Sequence, residues 1–406
     1  MFRLSITLFI LFSQAYLFFR LRKYIKRHTK FSSWIEKAII AVFLIFNLPI
    51  IALYFYFWQL SQLSSNLLLL LMPMFVWHIA TLFIFLVLGI IALIKIPFIV
   101  ALKIASVHPF INKKVSEMKE TPKFQKFDSS RRTFLRTGVV GLSAYSFVGA
   151  TSGAASAGEY EITNKTITIP NLPEEFKGFT IGMLSDIHSS IFMNKEDMDK
   201  YVSAMNELKT DLVVVTGDFV NSQTDEVYPF AEAFSNLHSP NGVYGCLGNH
   251  DYFARDVERV AKEVDGCGVK LLRNDAVQIR KGSSFFNLIG VDDIGRNTPP
   301  EEYMTKALAF AKNDQPKILL CHKPYYFEKA KELGFDLTLS GHTHGGQIVF
   351  GTIDRTPIAL AAMFSKYISG LYTIDQSHLY VNNGIGFTGV PFRVNCPAEL
   401  TVLTLA

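Results

Sequence analysis

The sequence predicts an α/β protein in which two packed mixed β-sheets are flanked by helices, preceded by an all-α transmembrane region. Three observations predict it. Almost all the long apolar runs fall in the first hundred or so of 406 residues. From Glu159 onward, short apolar strands first alternate with amphipathic helices and then follow one another, the pattern of packed layers. Five of those strands end in Asp, Asn or His, at the carboxyl ends where sites form in α/β sheets.

Taken in order, Leu4–Phe19 is an apolar run followed not by a small-residue cleavage site but by Arg20, Arg22, Lys23, Lys26, Arg27 and Lys30, so it reads as a first span. Ala38–Trp58 and Leu67–Ile94 are the second and third. The loop Arg20–Lys37 is strongly basic and Gln59–Asn66 carries no charge, which puts the amino terminus outside and the first loop in the cytoplasm. The Lys-rich segment after Ile94 is then cytoplasmic as well. His78, inside the third span, reads as a polar residue satisfied between helices.

Ser129-Ser130-Arg131-Arg132-Thr133-Phe134-Leu135-Arg136 precedes a weakly apolar Gly/Ala/Ser-rich segment, Gly138–Ala157, and resembles a twin-arginine export signal set in an internal loop. Read that way, the arginines stay inside and everything after them lies on the outer face of an inner or plasma membrane, with the cytoplasmic face as the alternative. A basic flank of an ordinary linker is the competing reading. Ala155-Ser156-Ala157 offers a cleavage site, but retention is favoured. The chain thus divides into a multi-pass membrane region (1–103), a basic linker with a weak fourth apolar segment (104–158) and a globular domain (159–406).

In that domain strands are expected at Tyr160–Ile169, Phe179–Leu184, Leu212–Thr216, Gly242–Leu247, Lys317–Cys321 and Asp336–Leu339, and later at Tyr372–Ile374, His378–Val381 and Leu400–Leu403. Helices are expected at Lys195–Lys209, Glu226–Leu237, Ala254–Val264, Glu301–Lys312 and Phe327–Leu333. The net charge of +5 comes from basic residues beside apolar segments, which reads as membrane topology and not as a nucleic-acid surface. Cys246, Cys267, Cys321 and Cys396 are widely spaced with no Cys-x-x-Cys pair, so no disulfide framework is expected.

The chemistry lies at the strand ends: Asp186-Ile187-His188, Gly217-Asp218, Gly248-Asn249-His250-Asp251, His322 and Gly341-His342-Thr343-His344. Asp, His and Asn suit borderline divalent metals such as Mn, Fe and Zn, with Mn favoured here, and the absence of nearby thiolates argues against a structural zinc site. So many ligands from separate strands exceed what one ion uses, so two ions ~3.5–4 Å apart with a bridging carboxylate are the economical reading. Asp218, central in the order, fits the bridge. Such a pair suits phosphate ester hydrolysis, with His250 as general acid and Asp251 placed to orient its imidazole; His250 as a further ligand is the other reading.

In order and spacing these five motifs resemble the set of the calcineurin-like metallophosphoesterases, over roughly residues 160–406. The resemblance implies a four-layer αββα fold and a metal-dependent phosphodiesterase or pyrophosphatase. It also implies one metal on Asp186, His188, Asp218 and His344 and a second on Asp218, Asn249, His322 and His342. Gly290-Val291-Asp292-Asp293 and Asn395-Cys396-Pro397-Ala398-Glu399-Leu400 look like a membrane-attached bacterial branch linked to hydrolysis of UDP-2,3-diacylglucosamine in lipid A biosynthesis. Asn382-Asn383-Gly384-Ile385-Gly386 departs from that branch's Ser/Arg-Gly-Leu-Gly pattern, so a phosphate-contacting arginine is missing there; Arg393 either supplies that charge or is structural. Pro357–Phe364 either lines an acyl-chain entrance or is a buried packing segment, the latter favoured. The partners implied are a phosphate-ester substrate, lipid-linked on this reading, and the membrane, with no nucleic acid. A membrane sensor whose domain binds a phosphate ligand without turning it over is the alternative function.

Overall fold

The computed structural model describes residues 2–28, 33–56, 65–293, 295, 298–312, 314–353 and 356–406. They form two compact units, 1–152 and 153–406. The first is helical: Phe2–His28, Ser33–Tyr56, Ser65–Ala105, Pro109–Glu120 and most of Pro122–Ala155. Three stretches, Leu4–Arg27, Ser33–Ala52 and Leu70–Ala105, are long and apolar enough to cross a membrane, and they overlap the three runs read as spans. Trp58 and most of the loop Gln59–Asn66 lie outside the described residues. His78 lies with Nδ1 2.8 Å from the Met74 carbonyl and Nε2 3.4 Å from Asn47 Oδ1, a polar side chain with partners on its own and a neighbouring helix.

The arginine segment differs from the loop expected of it. Residues 129–136 lie inside the helix Pro122–Ala155, where Asp128 pairs with Arg131 at 2.7 Å and with Arg132 at 2.5 Å. Spacings of three and four residues bring those charges together only on a helix, and they support it.

Among its described residues the second unit contains fourteen strands: β1 (Tyr160–Ile167), β2 (Thr180–Leu184), β3 (Leu212–Thr216), β4 (Val243–Cys246), β5 (Val269–Leu271), β6 (Asp275–Lys281), β7 (Ser284–Gly290), β8 (Lys317–Leu320), β9 (Leu337–Ser340), β10 (Val349–Ile353), β11 (Thr356–Ala359), β12 (Gly370–Ile374), β13 (Ser377–Val381) and β14 (Ala398–Leu405). One six-stranded sheet runs β1-β14-β2-β3-β4-β5 and another β12-β13-β9-β8-β7-β6, while β10 and β11 form a separate hairpin. Both large sheets are mixed: β2, β3, β4 and β5 are parallel neighbours and β14 is antiparallel to β2; β13, β9, β8 and β7 are parallel and the edge strands β12 and β6 antiparallel.

Strand alternation sends neighbouring residues to opposite faces and so builds the layers. Ile181, Met183, Leu212 and Val214 of the first sheet meet Phe286, Leu288, Ile318, Leu320, Leu337 and Leu339 of the second in one buried core. Val213 and Val215 point the other way, against Met198, Val202, Phe230, Phe234, Val260 and Val264 of the helices Lys195–Glu207, Val227–Phe234 and Val257–Gly266. On the far side Ile289 and Leu319 pack on Met304, Ala307 and Ala330 of Pro300–Leu308 and Phe327–Glu332. The result is the four-layer αββα arrangement. For the site, the decisive feature is that β2, β3 and β4 are side by side in one sheet and β8 and β9 in the other, so that all five ligand-bearing turns leave the carboxyl ends of parallel neighbours.

Candidate metal centre

The turns that carry the ligands are unusual in their backbone. Asp186, His188, Asp218, His342 and His344 all have positive φ, between 47° and 73°. Left-handed conformations are uncommon for residues other than glycine and cluster where function demands them. Here each turn sends the chain back at the sheet edge while leaving its side chain pointing across it. Close approach does the rest. A Cβ on Gly248 would lie 2.2 Å from Asp218 Oδ1, and that absent atom lets the β3 and β4 turns touch.

The side chains of these turns converge. Nε2 atoms of His188 and His344 face each other at 2.9 Å, and His344 Nε2 is 3.4 Å from Asp186 Oδ1. Asp218 Oδ2 lies 3.5 Å from His188 Nε2 and 3.2 Å from His322 Nε2, so one carboxylate stands between histidines of the two sheets. The potential ligand atoms gather in three groups, each within 4.8 Å: Asp186, His188 and His344; His188, Asp218 and His250; and Asp218, His322 and His342. Asn249 Oδ1 is buried without a hydrogen-bond partner, the condition of a donor kept for a ligand and not for the fold. The residues present therefore fit two divalent ions.

The electrostatics agree. Burial, reinforced for His188 by the charge of His250, pushes the imidazoles of His188 and His342 down to about 3, and burial holds His344 well below its ordinary value. All three are therefore neutral at physiological pH, the form that binds metal. Burial works the same way on His322, but the carboxylates of Asp218 and Asp186 outweigh it and hold that ring at about 10. Burial likewise opposes ionisation of Asp218, yet His322 and His250 keep it well below the usual carboxylate range. His322 and Asp218 thus favour each other's charged form across 3.2 Å.

The expectation for Asp251 is corrected. Asp251 does not serve the imidazole of His250: its carboxylate accepts backbone N–H groups from Gly248, Asp218, Phe219 and Val220 at 2.8–3.2 Å, pinning the Asp218 turn. His250 and Asp251 are consecutive on a short helix, Asn249–Phe253, and consecutive helical side chains diverge. What orients His250 is the Asn221 carbonyl, 2.6 Å from Nδ1, with the ring edge-on to His188. Because a carbonyl only accepts, Nδ1 carries the proton and Nε2 faces the site. Asn221 is in turn held by Glu226, whose carboxylate accepts from the N–H groups of Asn221, Ser222 and Gln223.

Arg393 was left with two roles. The residue is 2 % exposed, and its guanidinium donates to the carbonyls of Asn383, Gly384, Gly386, Cys396 and Pro397. The loop it grips supports Asp186 from behind, with Ile385 N–H donating to the Ser185 carbonyl and Gly386 N–H to that of Asp186. Of the two roles left open, the structural one is occupied. Residues missed in the sequence include Ser185, whose hydroxyl donates to Asp186 at 2.5 Å, and Thr388, 2.7 Å from His344 Nε2. For Thr388 the signal was its place in Gly386-Phe387-Thr388-Gly389, a turn bracketed by glycines.

A cavity of about 300 Å³ opens at this end, lined in part by Tyr325, His342, His344, Gln347, Phe364 and Thr388. The segment 357–364 is not the buried packing strip favoured above: only Pro357 and Ala359 are buried, and Ile358, Leu360, Met363 and Phe364 are exposed.

Residues 179–346 match the family model of calcineurin-like phosphoesterases. Over 290 residues the chain is 31 % identical to an uncharacterized metallophosphoesterase, YkuE, of Bacillus subtilis, covering 68 % of this chain and 97 % of that one. It is 31 % identical over 284 residues to an uncharacterized metallophosphoesterase of Helicobacter pylori, covering 68 % and 71 %. A transmembrane protein with metallophosphoesterase domain from Danio rerio is 31 % identical over 255 residues, covering 60 % of this chain and 57 % of that one, so the chain spans little more than half of that relative's length. The chain belongs to the calcineurin-like phosphoesterase family. That family uses a dinuclear divalent metal centre, and the Asp and His clusters here fit one.

Proposed function

We propose that this is a membrane-anchored phosphoesterase that hydrolyses a phosphodiester or pyrophosphate bond. The observation that supports the reading best is the placement of Asp218 Oδ2, 3.5 Å from His188 on one side and 3.2 Å from His322 on the other, as a carboxylate shared by two ions must be. Asp186, His188, Asp218 and His344 would hold one ion, and Asp218, Asn249, His322 and His342 the other. When bound, such ions supply a water of lowered pKa and a clamp on phosphate oxygens.

The protein's own groups do the rest. Asp251 and Gly248 hold the Asp218 turn, Ser185 and the N–H of His342 hold the Asp186 carboxylate, and the Asn221 carbonyl sets the ring of His250. With Nδ1 so engaged, the imidazolium of His250 has one proton left to give, on Nε2, and it passes to the leaving-group oxygen. Mn is the proposed ion, because imidazole and carboxylate without thiolate suit it.

A lipid-linked substrate such as UDP-2,3-diacylglucosamine is the first substrate proposed, supported by the apolar helices of the amino-terminal unit. The basic first loop and Lys-rich segment after Ile94 support an outward catalytic domain, with Ser129–Arg136 as a twin-arginine-like signal; a nucleotide-linked lipid supports the cytoplasmic face. The full chain in detergent with Mn²⁺, assayed against a phosphomonoester, bis-p-nitrophenyl phosphate and UDP-2,3-diacylglucosamine, tests the reading. Release of UMP supports the lipid nucleotide, and turnover of the simple diester alone points to another envelope phosphodiester. Metal-dependent binding without turnover overturns the enzyme reading in favour of a sensor. A reporter fused after Ala406, active only outside, supports the outward domain.

A further inference from the structure

In the second unit, six of the ten exposed Ile, Leu, Met and Phe side chains among the described residues fall between 350 and 364: Phe350, Ile353, Ile358, Leu360, Met363 and Phe364. They come from one device. β10 and β11 form a two-stranded hairpin outside both large sheets, and the turn Leu360–Met363 continues it. Register pairs Val349 with Ala359, and these two pack with Cys396 into a small cluster that fastens the hairpin's base. Strand alternation then sends Phe350 and Ile358 outward.

Exposed apolar side chains concentrated in one short segment mark a contact surface. Its shape identifies the contact. Ile353, Leu360 and Met363 are 61–76 % exposed, so these side chains stand open and are shaped to enter an apolar medium themselves. Among its described residues the same polypeptide carries three helices long and apolar enough to cross a membrane, and seated in one they would keep a bilayer within reach of this domain. Phe364 also lines the cavity that ends at His342 and His344, so whatever the patch enters lies at the mouth of the metal centre.

We infer that the β10–β11 hairpin and the turn that follows it insert into the interface of a lipid bilayer, which sets the mouth of the site at headgroup level. The contact goes beyond the proposed reaction and does not depend on it. Its consequence for that reaction is that the phosphoester is presented from the membrane surface and not from bulk water.

The test uses the full chain with Cys267→Ser, since the other three cysteines are buried. A single cysteine is introduced as Ile353→Cys, Phe364→Cys or, as control, Lys281→Cys at the exposed β6–β7 turn. Each is labelled with an environment-sensitive fluorophore and reconstituted in phosphatidylcholine–phosphatidylglycerol vesicles with or without brominated acyl chains. A face seated ~5–10 Å into the headgroup–acyl boundary has its emission blue-shifted and about halved by bromine at 353 and 364, with no change at 281. Emission at both positions indifferent to bromine overturns the inference, as does equal quenching at 281. A blue shift that ignores bromine but follows protein density in the vesicle also overturns it, in favour of contact between copies of the chain. The same quenching is expected in Asp218→Asn, so a failure of the catalytic reading leaves this measurement intact.

Discussion

Replacing Arg393 by methionine keeps a long apolar stem and removes the guanidinium. Five carbonyl oxygens, those of Asn383, Gly384, Gly386, Cys396 and Pro397, then lose donors at 2.7–3.4 Å in a largely buried region. Hydrogen bonds to a charged group are worth ~1.5–3 kcal/mol each, but removing the charge also removes its desolvation cost, so a net loss of ~3–5 kcal/mol is expected, as for breaking a buried charged pair. At ~2–4 °C per kcal/mol for a domain of this size, the melting transition of the metal-free second unit falls by ~6–20 °C. Because the gripped loop supports the backbone of Ser185 and Asp186, Mn²⁺ affinity falls as well, by ~10–100-fold if this support acts like other groups that orient metal ligands. Thermal melts followed by circular dichroism and Mn²⁺ titrations of the same samples read both effects. Arg393→Lys restores neither, since an ammonium cannot reach five carbonyls in a fork. An unchanged melt with a raised KM for the diester refutes the reasoning and returns Arg393 to the role of a phosphate contact.

Asp218→Asn removes the carboxylate shared by both groups of ligands, so the bound Mn²⁺ measured by mass spectrometry falls and diester turnover is abolished; full metal content and undiminished turnover sink the bridge. His250→Gln keeps metal content and lowers turnover by ~10²–10⁴-fold on an alkyl ester, with a smaller loss on a p-nitrophenyl ester whose leaving group needs no proton; equal losses on both count against a general acid. Gly341→Ala places a Cβ 1.8 Å from Ser185 Oγ and 2.1 Å from Asp186 Oδ2, costing ~1–3 kcal/mol of stability and weakening Mn²⁺ binding, and an unaltered titration shows that this turn tolerates the crowding. Chelation by EDTA stops turnover and added Mn²⁺ restores it; turnover that survives exhaustive chelation removes the metal from the reaction.

The hairpin β6–β7 and the exposed hairpin β10–β11 were not legible in the sequence. β6 is an edge strand whose Gln278 and Arg280 interrupt its apolar positions, so its weak pattern hides beneath the Lys281–Gly282–Ser283 turn that was its best signal. Phe350 to Phe364 has the composition of a core segment, and only its place outside both sheets leaves it exposed. The exchange of partners at His250 has the same origin. Adjacency along the chain suggested Asp251, whereas the helix turns consecutive side chains apart and brings in a carbonyl from Asn221.

By itself the sequence determined the layers and the candidate ligand set: apolar period and run length define which segments must be buried, and polar residues directly after a buried strand have only the sheet's carboxyl edge to occupy. Tertiary structure decided which of those residues meet, that five of them sit in left-handed turns, that Arg393 is a strut, and which apolar side chains stay in the open. The physical reason is that these depend on backbone carbonyls, N–H groups and surfaces contributed by segments distant in the chain, and backbone groups are alike at every position until the fold assigns their partners.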